Sequence, residues 1–197
     1  MEINKLESNK EEFLAVFNQL INREGKDELL EWLLSSDLFI APASTRFHGD
    51  YEGGLVEHLL NVYRCLKARV DWDEACDSSD ETVAIVALFH DLCKVNFYKK
   101  GTKNVKVDGV WTTKEVYEID EKFPCGDHAD KSIIILQNFI RLLPDEILAI
   151  RAHMGAFDSA VKGGSQFLNR IFDRCRLAVH LHLADVEATY LLEGSNV

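Results

Sequence analysis

His and Asp side chains stand inside the most apolar stretches of this chain, and together those residue types can hold a divalent cation. His90 and Asp91 follow directly on Val83-Ala84-Ile85-Val86-Ala87-Leu88-Phe89. His58 falls in line with Leu55, Leu59 and Val62, and Asp185 sits between Leu183 and Val186. A polar group taken out of water without a partner costs roughly 2–7 kcal/mol, and an isolated charge costs more. A cation compensates efficiently, because neutral imidazoles and a carboxylate become ligands, and an adjacent His-Asp pair at a helix end can reach one ion. For any one of these residues, a buried ion pair or hydrogen bond is the plainer explanation. The joint pattern over three separate apolar segments favours the ion.

The elements that must position these residues are helices. Only three prolines occur, and apolar residues recur at three- and four-residue spacing through most of the chain. The expected fold is all-α. Two N-terminal helices, with stripes Phe13, Val16, Phe17, Leu20 and Leu29, Leu30, Leu33, Leu34, form a packing unit over 1–40, and a single globular unit over 41–197 carries the site. Gly53 and Gly54 open the helix bearing His58. Ser78 and Glu81 form a capping box for the next helix, expected from Ser79 to about Lys94. Ile133, Leu136, Ile140 and Leu143 mark a helix, and Pro144 begins another that reaches His153. One long helix is expected from Ser165 to Leu192. Between helices, 104–118 alternates valines with polar residues around Asp108-Gly109, a small inserted β-hairpin.

The order His58, His90-Asp91, Asp185 resembles the HD superfamily of metal-dependent phosphohydrolases, named for its His-Asp pair. The resemblance covers about Phe47 to Glu187. Phe47-His48-Gly49-Asp50-Tyr51-Glu52-Gly53-Gly54-Leu55-Val56-Glu57-His58 is similar to the stretch that introduces the first ligand in the 3′→5′ exoribonuclease-like branch. Phe89-His90-Asp91-Leu92-Cys93-Lys94 matches its H-D-x-x-K form, and Leu181-His182-Leu183-Ala184-Asp185 its last ligand segment. The resemblance implies an HD-domain helical bundle in which His58, His90, Asp91 and Asp185 hold one ion. His128 and His153 lie where dinuclear members place ligands for a second, with Asp91 bridging. A set of imidazole and oxygen donors without thiolate suits Mn, Fe, Ni, Co, Zn or Mg. Read without the resemblance, His128 is a surface residue of the Cys125-Gly126-Asp127 turn, whereas His153 closes an apolar helix.

Two cations can bind a phosphoryl group, activate water and stabilise the leaving oxygen, so no side-chain nucleophile is required. In agreement, the chain has no G-x-S-x-G elbow, P-loop or G-x-G-x-x-G fingerprint. Asp91 is expected to orient the nucleophile, while Lys94 and His48 neutralise substrate charge. The bland alternatives are a solvated lysine at a helix end and a plain loop histidine. His180 reads as structural; His182, three residues before Asp185 and so on the same helical face, suits support of that ligand from behind, with packing the plainer reading. Lys94, Lys99, Lys100, Lys103 and Lys106 form a basic run inside a chain of net charge −11, enough to steer a phosphorylated ligand locally. The acidic excess disfavours broad, non-specific binding to duplex phosphates. The expected substrate is therefore a nucleotide or a short single-stranded oligonucleotide. No OB-type module is evident, and the G-Y-P signature of cyclic-dinucleotide enzymes is missing after His153. A di-iron oxygenase with the same six ligands, or a metal-binding regulatory module without turnover, are the rival functions. Five scattered cysteines with no C-x-x-C pair read as reduced thiols, and with no span of roughly 20 apolar residues the expected location is the cytoplasm.

Overall fold

The computed structural model describes residues 2–193; residue 1 and residues 194–197 of the two expected units lie outside them. Helices dominate. In chain order they are α1 (Glu2–Leu20), α2 (Lys26–Ser35), α3 (Gly54–Trp72), α4 (Asp80–Phe89), α5 (His128–Leu136), α6 (Pro144–Ala152), α7 (Ser159–Lys162), α8 (Phe167–Phe172) and α9 (Arg176–Glu187). Strands β1 (Tyr98–Val107) and β2 (Val110–Ile119) pair antiparallel from Tyr98↔Ile119 to Val107↔Val110. None of the described helices is long and apolar enough to cross a membrane.

The core forms where apolar faces meet. Helix α4 is buried at every position from Thr82 to Phe89, so it runs through the middle, with α3, α1 and α6 packed on it. Helix α9 in turn packs on α3 and α6. From α1, Phe13 and Phe17 bring ring edges onto Phe89 at centroid distances of 6.3 and 6.2 Å, the edge-to-face arrangement that aromatic quadrupoles favour.

Several boundaries differ from the sequence reading. Ser79, not Ser78, caps α4 by accepting the Thr82 amide, and Glu81 turns away to the Asn22 amide and the Arg23 guanidinium. Helix α4 stops at Phe89; a 3₁₀ turn over Leu92–Lys94 follows, and the break falls at His90-Asp91. Ile140 and Leu143 lie beyond α5, in the connection to α6, although Ile140 is buried there. The single terminal helix is divided. Amides of Arg174 and Cys175 both turn back to the Ile171 carbonyl and close α8; α9 restarts at Arg176, and a π-helical turn over Ala188–Leu192 follows. Apolar spacing runs across that break because both pieces face the same core, and no Gly or Pro marks it. The hairpin has the expected turn, with Asp108 and Gly109 at φ 49° and 85°. It starts at Tyr98, six residues before the expected valine pattern, because strands exposed on both faces carry no apolar alternation.

Candidate metal centre

Five helices bring the site together. Helix α3 contributes His58, the end of α4 His90 and Asp91, the end of α6 His153, and α9 Asp185; His128 enters as the first residue of α5. The helix ends explain the His positions. With each helix finishing at the core, the terminal imidazole is left without a continuing turn and donates from Nδ1 to the carbonyl three residues back: His90 to Ala87 at 2.9 Å, His153 to Ile150 at 2.7 Å. A carbonyl only accepts, so each Nδ1 carries a proton and each Nε2 turns inward.

Those inward atoms converge on Asp91. Its Oδ2 lies 3.6 Å from His58 Nε2 and from His90 Nε2, and its Oδ1 lies 3.5 Å from His128 Nε2 and 3.6 Å from His153 Nε2. His58 Nε2 is also 3.3 Å from His90 Nε2 and from Asp185 Oδ1. Asp91 Oδ1 and His153 Nε2 are buried without a hydrogen-bond partner and face each other. A proton on the imidazole or a cation between the atoms compensates such a pair. Donors at roughly 2.0–2.2 Å from one cation, at tetrahedral or octahedral angles, stand about 3.0–3.5 Å apart. The observed separations fit shared ligation, and overlapping groups of three within this cluster keep their ligand atoms within 4.8 Å of one another.

Electrostatics prepares the same atoms. Burial alone would raise the Asp91 carboxyl, but the Lys94 ammonium and the surrounding imidazoles hold it well below the usual carboxylate range. Asp185 is lowered likewise, burial being outweighed by its contact with His58. Burial pushes His90 down to about 4 and lowers His128. For His58, Asp185 and Glu193 overcome burial and push the imidazole up to about 9, while Asp91 raises His153 in the same way. Carboxylates are thus ionised, and the protons on His58 and His153 occupy directions that a cation can take.

All eight expected site residues lie together, and Lys94 and His128 depart from their bland alternatives. Lys94 is not a solvated lysine: it is buried, with Nζ 2.7 Å from Asp91 Oδ2. The basic run divides accordingly, since Lys99, Lys100, Lys103 and Lys106 lie exposed along both faces of β1. His48 stacks over His58 at a centroid distance of 4.8 Å, in a loop tied by Ser44 Oγ donating to its carbonyl, and its Nε2 is buried and unpartnered. His128 is not on the surface; its side chain is 29% exposed and faces Asp91. Cys93 also approaches Asp91 and His128, but burial pushes its thiol up to about 12, which keeps it protonated and a poor ligand.

Two further residues complete the centre. Glu193 meets His58 Nδ1 at 3.0 Å, a contact spanning 135 residues of chain for which the sequence holds no signal. His182, three residues before Asp185, has Nδ1 2.7 Å from the His153 carbonyl and so holds that segment from outside, which is more than packing. Its ring lies flat against Gly155, whose φ of 53° and lack of Cβ permit the approach. A Cβ there would stand 2.3 Å from His182 Cε1. Gly155→Ala is therefore expected to cost about 2 kcal/mol, combining the left-handed backbone with the lost hydrogen bond, and to reduce metal uptake through His153. Urea unfolding and metal analysis check this; parental stability with full metal content would show that His182 does not hold His153. His180 is structural: with Arg176 it binds Asp73 at the end of α3.

Comparison of the chain with protein families, with curated proteins and with solved structures returns no match, so the site stands on its own geometry.

Proposed function

We propose that this protein is a metal-dependent phosphohydrolase of the HD type, cleaving a phosphate ester in a nucleotide or short single-stranded oligonucleotide. The observation that carries the reading is the division of Asp91: one carboxylate oxygen faces His58 and His90, the other His128 and His153. His58, His90, Asp185 and one oxygen of Asp91 would hold one divalent cation, and His128, His153 and the other oxygen a second. Bound there, such cations supply Lewis acidity toward a phosphoryl oxygen and a lowered pKa for water.

The chain's own groups do the rest. Lys94, buried beside Asp91, places a fixed ammonium where phosphate charge would arrive. His48, held neutral chiefly by burial, offers an unpaired Nε2 to a substrate oxygen. Beyond the cluster, exposed Lys106 and the 70% exposed Trp111 are register partners on one face of the hairpin, a basic and aromatic pair suited to a nucleotide chain. The five unpaired cysteines suit a reducing cytoplasm.

Metal analysis of the purified protein, followed by a Mn²⁺-dependent assay on a generic phosphodiester and a nucleotide panel, tests the reading. Two ions per chain and metal-dependent hydrolysis are expected. His128→Ala should leave one ion per chain, and turnover should fall by more than the roughly 10–100-fold typical of losing an outer partner of a ligand. Retention of both ions in that variant overturns the dinuclear assignment. Oxygen consumption by the iron-loaded protein, without hydrolysis, would make it an oxygenase instead.

A further inference from the structure

The three fully buried imidazoles of the cluster differ in what holds their outer nitrogens. His90 and His153 use backbone carbonyls, so their orientation comes with the helix ends that bear them. His58 lies within α3, where main-chain carbonyls are committed to the helix. Its Nδ1 faces a carboxylate instead, with Glu193 Oε2 at 3.0 Å and Oε1 at 3.3 Å.

The polarity of that contact follows from a chain of hydrogen bonds leading in from the surface. Glu12 receives the Arg64 guanidinium through Nε and Nη2 at 3.2 and 2.5 Å. Arg64 can only donate, so Nη1, at 2.9 Å, fixes Oδ1 as the Asn61 atom facing it. The Asn61 amide nitrogen must then point the other way, and it donates to Glu193 Oε1 at 2.9 Å. Glu193 accepts there, and as an ionised carboxylate it accepts again from His58. His58 Nδ1 therefore carries a proton, and Nε2 is the atom turned toward Asp185, His90 and Asp91.

Backbone geometry delivers the carboxylate. After α9 the chain widens into the π-helical turn, the Glu193 amide donating to the Ala188 carbonyl at 3.0 Å. Wide turns of this kind concentrate at functional sites. Here the turn sets Glu193, with 2% of its side chain exposed, against Asn61 and His58 on α3.

From these contacts, and resting on the metal-centre reading above, we propose that Glu193 is a positioning residue of that centre: locked by Asn61, it holds the His58 ring in the ligating tautomer and increases the donor strength of its Nε2. Outer carboxylates of this kind raise the basicity of a ligating imidazole, and their removal costs metal affinity.

The test is titration of the metal-stripped full chain with Co²⁺, read by calorimetry and visible absorption, beside ¹⁵N chemical shifts of His58 recorded with the ring neutral, above the pKa of about 9 to which its neighbours raise it. The parent should bind Co²⁺ and show His58 protonated at Nδ1. Glu193→Ala should weaken binding by about 10–100-fold and shift His58 toward mixed tautomers. Glu193→Gln keeps an acceptor without the charge, so it should retain the tautomer and lose less affinity. Should the Ala variant fail to fold, the Gln variant decides, since unchanged affinity there overturns the proposal. Lower melting temperatures in both variants with parental Co²⁺ affinity would make Glu193 a packing residue only, and overturn it too. A parent chain that binds no metal refutes the metal centre itself, whereas variants that bind as tightly as a metal-binding parent refute only the role of Glu193.

Discussion

Asp91→Ala is expected to abolish stoichiometric metal binding and to lower phosphodiester turnover by more than about 10⁴-fold, which corresponds to roughly 5.5 kcal/mol of transition-state stabilisation. Both oxygens of this carboxylate face imidazole nitrogens, so one substitution removes a donor from each half of the cluster. It also strands Lys94, a buried ammonium whose partner is Asp91 at 2.7 Å. Leaving one member of a buried pair uncompensated costs about 3–5 kcal/mol, so lost activity by itself would not separate chemistry from unfolding. The paired variant Asp91→Ala with Lys94→Met removes the stranded charge. It should recover most of the melting temperature and none of the metal. Full metal content in a folded Asp91→Ala protein would refute the bridging role.

Arg23→Met should lower the melting temperature by about 6–20 °C. Glu146 is completely buried, and Arg23 grips it with two bonds of 2.7 and 2.9 Å while Thr82 Oγ1 and the Leu143 amide fill its remaining acceptor positions. Without the guanidinium, a carboxylate is left in the interior at a cost of about 3–5 kcal/mol, and a chain of this size loses about 2–4 °C per kcal/mol. The anchor bears on the site as well as on stability. Glu81 at the start of α4 and Glu146 at the start of α6 are tied to the same arginine, and the far ends of those two helices carry His90 and His153. Replacing both partners by Met should restore much of the stability, since an apolar pair of similar volume needs no compensation. A loss under about 1 kcal/mol in Arg23→Met would show that solvent compensates Glu146.

Much of the helical fold was legible from local pattern. A helix such as α4 declares itself through an unbroken apolar run, its cap falling one serine later than the expected box, and the hairpin turn declares itself through Asp108-Gly109. Boundaries were less legible where apolar spacing continues through a break, as at Asp173 to Cys175, or where a strand buries neither face, as from Tyr98 to Lys103. The candidate site was legible because polar residues at His58, His90, Asp91 and Asp185 contradict their apolar surroundings; each taken singly has a plainer explanation, and only the joint pattern points to an ion.

What the amino-acid sequence determined by itself is therefore which His and Asp residues stand among apolar ones and the helices that bear them, since both follow from local spacing and the cost of burying polar groups. What only the tertiary structure decided is how those groups face one another: the division of Asp91 between two sets of imidazoles, the burial of Lys94 against it, and the arrival of Glu193 behind His58. Hydrogen bonds and charge contacts act over about 3 Å of space whatever the chain separation. A contact bridging 135 residues leaves no periodicity in the sequence, and it exists only once helix packing has closed the distance.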